Sequence, residues 1–115
     1  MTAAEVITSA RRILRDTEIG MHRWTTPVLL EYLDQGHRDL LDKRPELRIT
    51  VISVLQSVPA LSSTTDSLIA GYSFRRALAL YVAATALEED GSDEANMGQA
   101  QAYRQQYLNL IYGGK

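Results

Sequence analysis

The sequence offers few side chains for catalytic or metal chemistry. Its two histidines, His22 and His37, lie 15 residues apart, and neither has a neighbouring carboxylate at metal-ligand spacing. A metal site or a general acid–base site needs several titratable groups that converge on one point. The chain has no cysteine, which excludes disulfides, thiolate ligands and a cysteine nucleophile. We therefore expect ordinary surface or capping roles for both histidines.

A second candidate for metal binding is an acidic cluster in the C-terminal half. Its members are Glu88, Glu89, Asp90, Asp93 and Glu94. The cluster lacks the alternating ligands and the terminal bidentate glutamate of an EF-hand loop, so we expect a solvated turn followed by a helix start. The chain also has no glycine-rich phosphate loop, no G-x-S-x-G and no H-E-x-x-H motif. These observations predict a protein that is not an enzyme and that carries no cofactor or metal.

Arginines form two short basic groups, and two interpretations of them stay open. The first group is Arg11, Arg12 and Arg15, and the second is Arg75 and Arg76. Such groups contact phosphates in a small helical DNA-binding or regulatory protein. Alternatively, they are solvated helix faces or pair with acidic residues of a neighbouring subunit. The net charge of −2 and the pI near 5.6 argue against a dedicated nucleic-acid binder.

Tyrosine is over-represented among the aromatic residues, with six tyrosines against one tryptophan and one phenylalanine. Three of them, Tyr103, Tyr107 and Tyr112, lie in the last predicted helix and the tail that follows it. Tyrosine suits an interface because its body is apolar and its tip is polar. Packing in the core is an equally good interpretation for Tyr103 and Tyr107. Tyr112 begins a short tail, residues 112–115, which is of a kind that docks into a groove on a partner.

These residues must be positioned by helices, because apolar residues recur at helical spacing along most of the chain. The first helix is predicted over residues 3–16, with Thr2 and Glu5 as a capping box and Gly20 as the breaker. The second begins near Thr26 and Pro27 and ends before Pro45. Gly36 inside it costs about 1 kcal/mol relative to alanine, which indicates a close backbone contact.

The stretch from residue 46 to residue 70 is ambiguous, whereas the remainder is clearly helical. Residues 47–55 are rich in β-branched side chains, which favours a strand, although the same residues also fit one helix face. Residues 61–66 resemble a polar loop. Helices are then predicted over residues 72–89 and from Ser92 to about residue 111, joined by a short turn into an antiparallel hairpin. The predicted fold is mainly α: a small antiparallel bundle of about four helices with a short β-like segment between helices two and three.

At 115 residues, the chain has the length of a single domain, 1–115, with no internal repeat or linker. Its composition is that of an ordinary globular protein, with 45% apolar and 23% charged residues. No apolar run approaches the roughly 20 residues needed to cross a membrane. The N-terminus lacks the basic and apolar regions of a signal peptide. We therefore expect a product made in the cytoplasm and not bound to a membrane.

The order of these elements resembles the small head–tail connector, or adaptor, proteins of tailed bacteriophages. The similarity covers nearly the whole chain and consists of compositional patterns. The segments that carry it are residues 2–7 (TAAEVI), residues 11–17 (RRILRDT), Trp24, residues 29–36 (LLEYLDQG), Arg44 and Pro45, residues 77–83 (ALALYVA), residues 93–97 (DEANM) and the closing helix with Tyr103 and Tyr107. Longer relatives carry a β-rich insertion between helices two and three, and residues 46–70 resemble a shortened version of it.

The resemblance implies a structural virion protein located at the head–tail junction. Such adaptors form a ring beneath the portal, commonly of twelve copies, which extends the DNA channel and docks the tail or nozzle protein. Genomic DNA passes through that channel without specific binding. The family's C-terminal helix engages the portal, and the corresponding residues here are Tyr103, Tyr107, Leu110, Ile111 and Tyr112. Candidate contacts between subunits are Arg11, Arg15, Ile49 and Val51.

Overall fold

The computed structural model describes residues 1–17, 23–49, 59–90 and 94–112. Four α-helices account for most of them: α1 (Ala3–Leu14), α2 (Thr26–Lys43), α3 (Arg75–Asp90) and α4 (Glu94–Tyr112). A 3-10 helix follows α2 at Pro45–Arg48, and a second one, Tyr72–Phe74, leads into α3. The mainly helical bundle predicted from the sequence is confirmed.

Helix α3 is the centre of the bundle and packs against α1, α2 and α4. Its residues from Ala77 to Leu80 and from Val82 to Leu87 are all buried. Its alanines let three neighbouring helices approach, because a methyl side chain adds little bulk to the helix surface. Buried residues therefore surround most of the circumference of this helix.

The side-chain contacts fix the directions of the helices. Glu88, near the end of α3, bonds to Arg104, whereas Tyr81, earlier in α3, meets Tyr107, later in α4. Helices α3 and α4 are therefore antiparallel, as the short connection between them predicts. Tyr107 also reaches Asp39 in the second half of α2, so the C-terminal half of α4 lies against the C-terminal half of α2.

The start of α1 is capped differently from the prediction. Thr2 precedes the helix with an extended backbone, but its side chain makes no capping hydrogen bond. The N–H groups of Ala3 and Ala4 instead donate to the carbonyls of Asp66 and Thr64, at 3.0 and 2.8 Å. The polar loop predicted over residues 61–66 thus satisfies donors that a helix start leaves without partners.

The end of α1 also differs from the prediction. The helix stops at Leu14, and Arg15 adopts a left-handed backbone with φ 58°. The N–H of Arg15 donates to the Arg12 carbonyl and that of Asp16 to the Arg11 carbonyl. This is the usual way to satisfy the last carbonyls of a helix. The end therefore comes before the predicted boundary at Asp16, and Gly20, the expected breaker, lies outside the described residues.

The ambiguous segment is only partly described. Leu47 and Arg48 belong to a 3-10 helix, so the strand prediction is wrong at its first two residues. Residues 50–58 lie outside the described residues. Later in the segment, an isolated antiparallel bridge joins Ser67 to Thr2. It ties the loop before α3 to the N-terminus.

Candidate interaction surfaces

The structure brings three of the five candidate arginines to one groove between α1 and α3. Arg12, Arg75 and Arg76 line this arginine groove together with Ser9, Ile13 and Ala79. Its volume is about 220 Å³. The guanidinium of Arg75 lies 4.6 Å from the centre of the Tyr72 ring, a cation–π distance. Within the described part of the chain, no carboxylate forms an ion pair with these three arginines.

Arg11 does not belong to this surface, although it is adjacent to Arg12 in sequence. Its side chain is buried and bonds to the Asp16 carboxylate at 2.8 Å. It also donates to the Trp24 carbonyl at 2.9 Å and to the Thr26 hydroxyl at 3.1 Å. The predictions that Arg11 contacts DNA or a neighbouring subunit are therefore replaced by a structural role. The side chain joins the end of α1 to the start of α2.

Asp16 completes this buried junction. Its carboxylate accepts hydrogen bonds from the backbone N–H groups of Arg23 and Trp24, at 2.7 and 3.2 Å, in addition to the Arg11 bond. A buried ion pair is tolerated when further hydrogen bonds satisfy the remaining polar atoms. The pair thus sets how the chain leaves α1 and enters α2.

The other predicted subunit contacts have separate locations. Arg15 is exposed and lines a different groove, of about 340 Å³, with Ile13, Leu14, Leu87, Gln99 and Tyr103. Ile49 is 51% exposed, a large value for an isoleucine. Val51 lies outside the described residues. The structure therefore does not bring Arg11, Arg15 and Ile49 to one surface.

Two of the five predicted portal contacts lie in the core. Tyr107 is 2% exposed and Ile111 is 0% exposed. The Tyr107 ring packs edge-to-face on Tyr81 at 5.2 Å, and its hydroxyl donates to Asp39 at 2.7 Å. Burial, followed by the bond to Asp39, raises the pKa of Tyr107 well above its ordinary value. The packing interpretation of Tyr107 is the correct one, and the expectation that Tyr107 and Ile111 contact a partner is corrected for both.

Gly36 explains how Tyr81 fits beneath α2. A Cβ at Gly36 would lie 2.6 Å from Cδ1 of Tyr81, closer than van der Waals contact allows. The close approach predicted from this glycine is confirmed, and it is the Tyr81 ring that approaches. Gly36, Tyr81 and Tyr107 thus form the aromatic junction of α2, α3 and α4.

The remaining portal candidates are accessible. Leu110 is 41% exposed and Tyr112 is 60% exposed, while Tyr103 is half-buried beside Leu87. Tyr112 is the last residue of α4 and not part of a separate tail. Residues 113–115 lie outside the described residues.

The outer face of α4 has a feature that the sequence reasoning missed: from residue 96 to residue 112, its exposed side chains carry no charge. The exposed residues are Met97, Gly98, Gln99, Gln101, Ala102, Gln105, Gln106, Asn109, Leu110 and Tyr112. From residue 96 to residue 112 the only charged residue is Arg104. Counting charges along the predicted helix would have revealed this face, because a solvated helix face normally carries several charges.

Arg104 is turned away from that face. It makes two 2.8 Å hydrogen bonds to the Glu88 carboxylate, one to the Thr85 hydroxyl at 3.0 Å, and lies 4.5 Å from the Tyr81 ring centre. The bonds from Arg104 hold the pKa of Glu88 below its ordinary value. The one charge in this part of α4 therefore supports the α3–α4 contact.

A second feature that the sequence reasoning missed is an acidic patch around Tyr32. Tyr32 of α2 is half-buried, and Glu31 and Glu89 beside it are exposed. Burial raises the pKa of Tyr32, and the negative charges of Glu89 and Glu31 raise it further. We call these three residues the Tyr32 patch.

Of the two histidines considered for chemistry, the structure describes His37, which lies in the core. His37 is 1% exposed, and its Nε2 accepts hydrogen bonds from the N–H groups of Ile69 and Ala70 at 3.1 and 3.3 Å. Burial lowers its pKa. The surface role expected for His37 is therefore wrong, and His22 lies outside the described residues. Among the described residues no group of three or more histidines and carboxylates is placed to hold a metal ion.

Comparisons with protein-family models, with curated proteins and with solved structures found no match to this chain. Within the described residues, no helix combines the length and the apolar character that crossing a membrane requires. The connector resemblance stays a hypothesis that depends on the sequence patterns and on the surfaces described above.

Proposed function

We propose that this chain is a head–tail connector of a tailed-phage virion, which acts by protein–protein contact and carries out no reaction. In this role it forms a ring under the portal protein, of twelve copies as is common in the family. The ring extends the channel for genomic DNA and docks the tail or nozzle protein. The chain is made in the host cytoplasm and ends up at the head–tail junction.

The observation that carries this proposal is the uncharged outer face of α4. Before and after Arg104 in the sequence, the helix presents exposed amide side chains, and exposed Leu110 and Tyr112 follow near its end. The buried centres of protein interfaces are depleted of charged residues and enriched in tyrosine. The face lies on the C-terminal helix, the element through which the resemblance implies portal contact.

The buried polar groups support a structural role, because they bond to other parts of the bundle. The buried polar groups Arg11, Asp16, His37 and Thr85 all make hydrogen bonds within the bundle. None of them lines the grooves named above. A rigid bundle that presents fixed surfaces suits a spacer between two protein assemblies.

The proposal is tested by co-expression with the portal protein encoded in the same genome. The wild-type chain should co-purify with the portal protein, and Leu110→Glu and Tyr112→Ala should lose this binding. Asp42→Lys, an equally exposed change on α2, is the control and should bind like wild type. Point substitutions are preferable to truncation before Tyr107, because truncation would remove core residues.

Thermal unfolding of each variant shows whether a loss of portal binding comes from a loss of stability. Exposed positions away from packing contacts change the free energy of unfolding by less than about 0.5 kcal/mol. Loss of binding with unchanged unfolding supports the docking face. Equal binding by all four proteins contradicts it, and so does the absence of any portal binding by wild type.

The alternative function, a small helical DNA-binding or regulatory protein, is favoured by one observation. The arginine groove brings Arg12 together with Arg75 and Arg76. A DNA-binding protein would bind duplex with an affinity that falls steeply as salt rises, and Arg12→Ala and Arg76→Ala would reduce that slope. For a connector, we expect no duplex binding at physiological salt. Fluorescence anisotropy at two salt concentrations separates the two functions.

A further inference from the structure

The arginine groove is a surface whose charge is not balanced within the described part of one copy. Arg12 and Arg76 are exposed, Arg75 is half-exposed, and the described carboxylates form no ion pair with them. Half-buried Ile13 supplies apolar surface to the same groove, and buried Ala79 lies beneath it. The groove therefore combines a cationic rim with an apolar floor, which fits an aromatic or aliphatic side chain flanked by carboxylates.

The Tyr32 patch has that composition. A half-buried tyrosine ring lies beside two exposed carboxylates, Glu31 of α2 and Glu89 of α3. Within the described residues, neither carboxylate has an ion-pair partner. Their repulsion is relieved when cations approach, just as that of the arginines is relieved by anions.

One copy cannot pair these two surfaces with each other. Arg76 and Glu89 belong to the same straight helix, α3, and are 13 residues apart. At 1.5 Å per residue this separation is about 20 Å, far beyond the reach of an ion pair. Within one copy, therefore, neither surface neutralises the other.

A second copy of this chain satisfies both surfaces at once. We propose that the arginine groove of one copy receives the Tyr32 patch of the next, so that copies associate head to tail. Because the two surfaces differ, the contact is heterologous, and repetition gives a closed ring or an open filament. This inference rests on the proposed connector function and adds the surfaces through which its subunits meet.

Nucleic acid is the competing occupant, and the surroundings of the groove disfavour it. Glu5 lines the adjoining groove on α1 together with Arg12 and Arg75, and its carboxylate repels phosphates and partner carboxylates alike. The chain carries a net charge of −2, which repels DNA at long range. An apolar floor also adds little to a phosphate contact.

The test uses disulfide cross-linking, since the natural chain has no cysteine. Ser9→Cys places a thiol in the arginine groove, and Gln35→Cys places one a helical turn beyond Glu31. The two single variants, distinguished by a size tag, are mixed and oxidised at low ionic strength. We expect the yield of the mixed dimer to exceed that of either same-variant dimer by about tenfold. This ratio corresponds to a preference of about 1.4 kcal/mol for the head-to-tail contact.

Charge reversal then decides whether the contact is electrostatic. Arg12→Glu with Arg76→Glu in the Ser9→Cys copy, or Glu31→Arg with Glu89→Arg in the Gln35→Cys copy, should each abolish the preference. Mixing the two reversed copies should restore it, because the charges are complementary again. A purely statistical yield, in which the mixed dimer is only twice as abundant as either same-variant dimer, would overturn the inference. A preference that ignores both reversals would overturn it as well. Duplex binding that is lost on groove reversal alone would assign the groove to phosphates instead.

These outcomes are separable from those of the portal experiment. Portal binding without head-to-tail cross-linking leaves the connector function standing and removes these subunit surfaces. Cross-linking without portal binding keeps the self-association and contradicts the connector function. Circular dichroism of each reversed variant checks that the helices are intact, and the restored dimer of the two reversed copies provides a second check on their folding.

Discussion

Arg11 and Arg12 are neighbours in sequence, yet one belongs to the interior of the bundle and the other to its surface. Arg11 is 8% exposed and makes hydrogen bonds to three residues, whereas Arg12 is exposed on the rim of the arginine groove. The same division separates Tyr107 from Tyr112 on α4. Some arginines and tyrosines, the residue types that suggested binding, lie inside this protein and join its helices. The exposed arginines and tyrosines remain for partners, and their neighbours determine the character of each surface.

The buried Arg11–Asp16 ion pair gives the strongest test of the difference between interior and surface arginines. Asp16→Ala leaves the Arg11 charge buried without its anion, and we expect the free energy of unfolding to fall by about 3–5 kcal/mol. Arg12→Ala, on the outside, should change it by less than about 0.5 kcal/mol. Urea denaturation monitored by circular dichroism measures both. Similar effects at the two positions would show that the interior and the surface do not differ in this way.

Two helical glycines give the next comparison. At Gly36 an added methyl group collides with Tyr81, so Gly36→Ala should destabilise the bundle by about 1–3 kcal/mol. At Gly98 a Cβ meets nothing within 4 Å, and Gly98→Ala should stabilise the protein by up to about 1 kcal/mol through helix propensity. The two melting temperatures should shift in opposite directions. A stabilising Gly36→Ala would contradict the close packing of Tyr81.

The two tyrosines of α4 differ by one hydroxyl contact. Tyr107→Phe removes the bond to Asp39 and should cost about 1–2 kcal/mol, because the acceptor is a carboxylate. Tyr112→Phe should leave stability unchanged, since the residue is exposed. Chemical denaturation of the two variants makes this comparison. Equal stabilities would mean that the Asp39 bond contributes nothing net.

The smallest expected effect is a pH dependence from His37. Burial lowers its pKa in the folded state, so the unfolded chain binds more protons as the pH falls through 6.5. The stabilisation is complete above the unfolded pKa and is lost progressively below it. Asp34, which raises the pKa, and Arg38, which lowers it, are the charged groups that act on His37 besides burial.

We expect the free energy of unfolding to fall by about 1 kcal/mol between pH 7.5 and pH 5.5. The measurement uses a His22→Gln background, in which His37 is the only histidine. The window stays above the range in which Asp66 and Glu88, whose pKa values are lowered, lose their charges. His37→Gln should remove the dependence in this window. A stability that rises on acidification would contradict the neutral, accepting role of Nε2.

The sequence predicts the helices and the contact at Gly36 because both are local signals. Apolar spacing marks each helix, and a glycine in a helix interior is costly unless something packs against it. The direction of the α3–α4 pair also follows from the short connection. These features require no knowledge of distant segments.

The features that the sequence does not predict depend on distant partners. The N-terminus of α1 is capped by the carbonyls of Thr64 and Asp66, about 60 residues away in sequence, which a local capping rule cannot anticipate. The sequence pattern does not distinguish Arg11 from Arg12 and Arg15. Arg11 is the one that pairs with Asp16, which follows the left-handed turn at Arg15. The role of His37 depends on the N–H groups of Ile69 and Ala70, which lie more than thirty residues later in the sequence.

The central claim is that the uncharged outer face of α4 is a docking face. It is tested most directly by maleimide labelling of Leu110→Cys in a chain that has no other cysteine, with and without the portal protein. Asp42→Cys, on the exposed side of α2, is the control. We expect the portal protein to slow modification at position 110 and to leave the rate at position 42 unchanged. Equal rates at position 110 in the presence and absence of bound portal protein would contradict it.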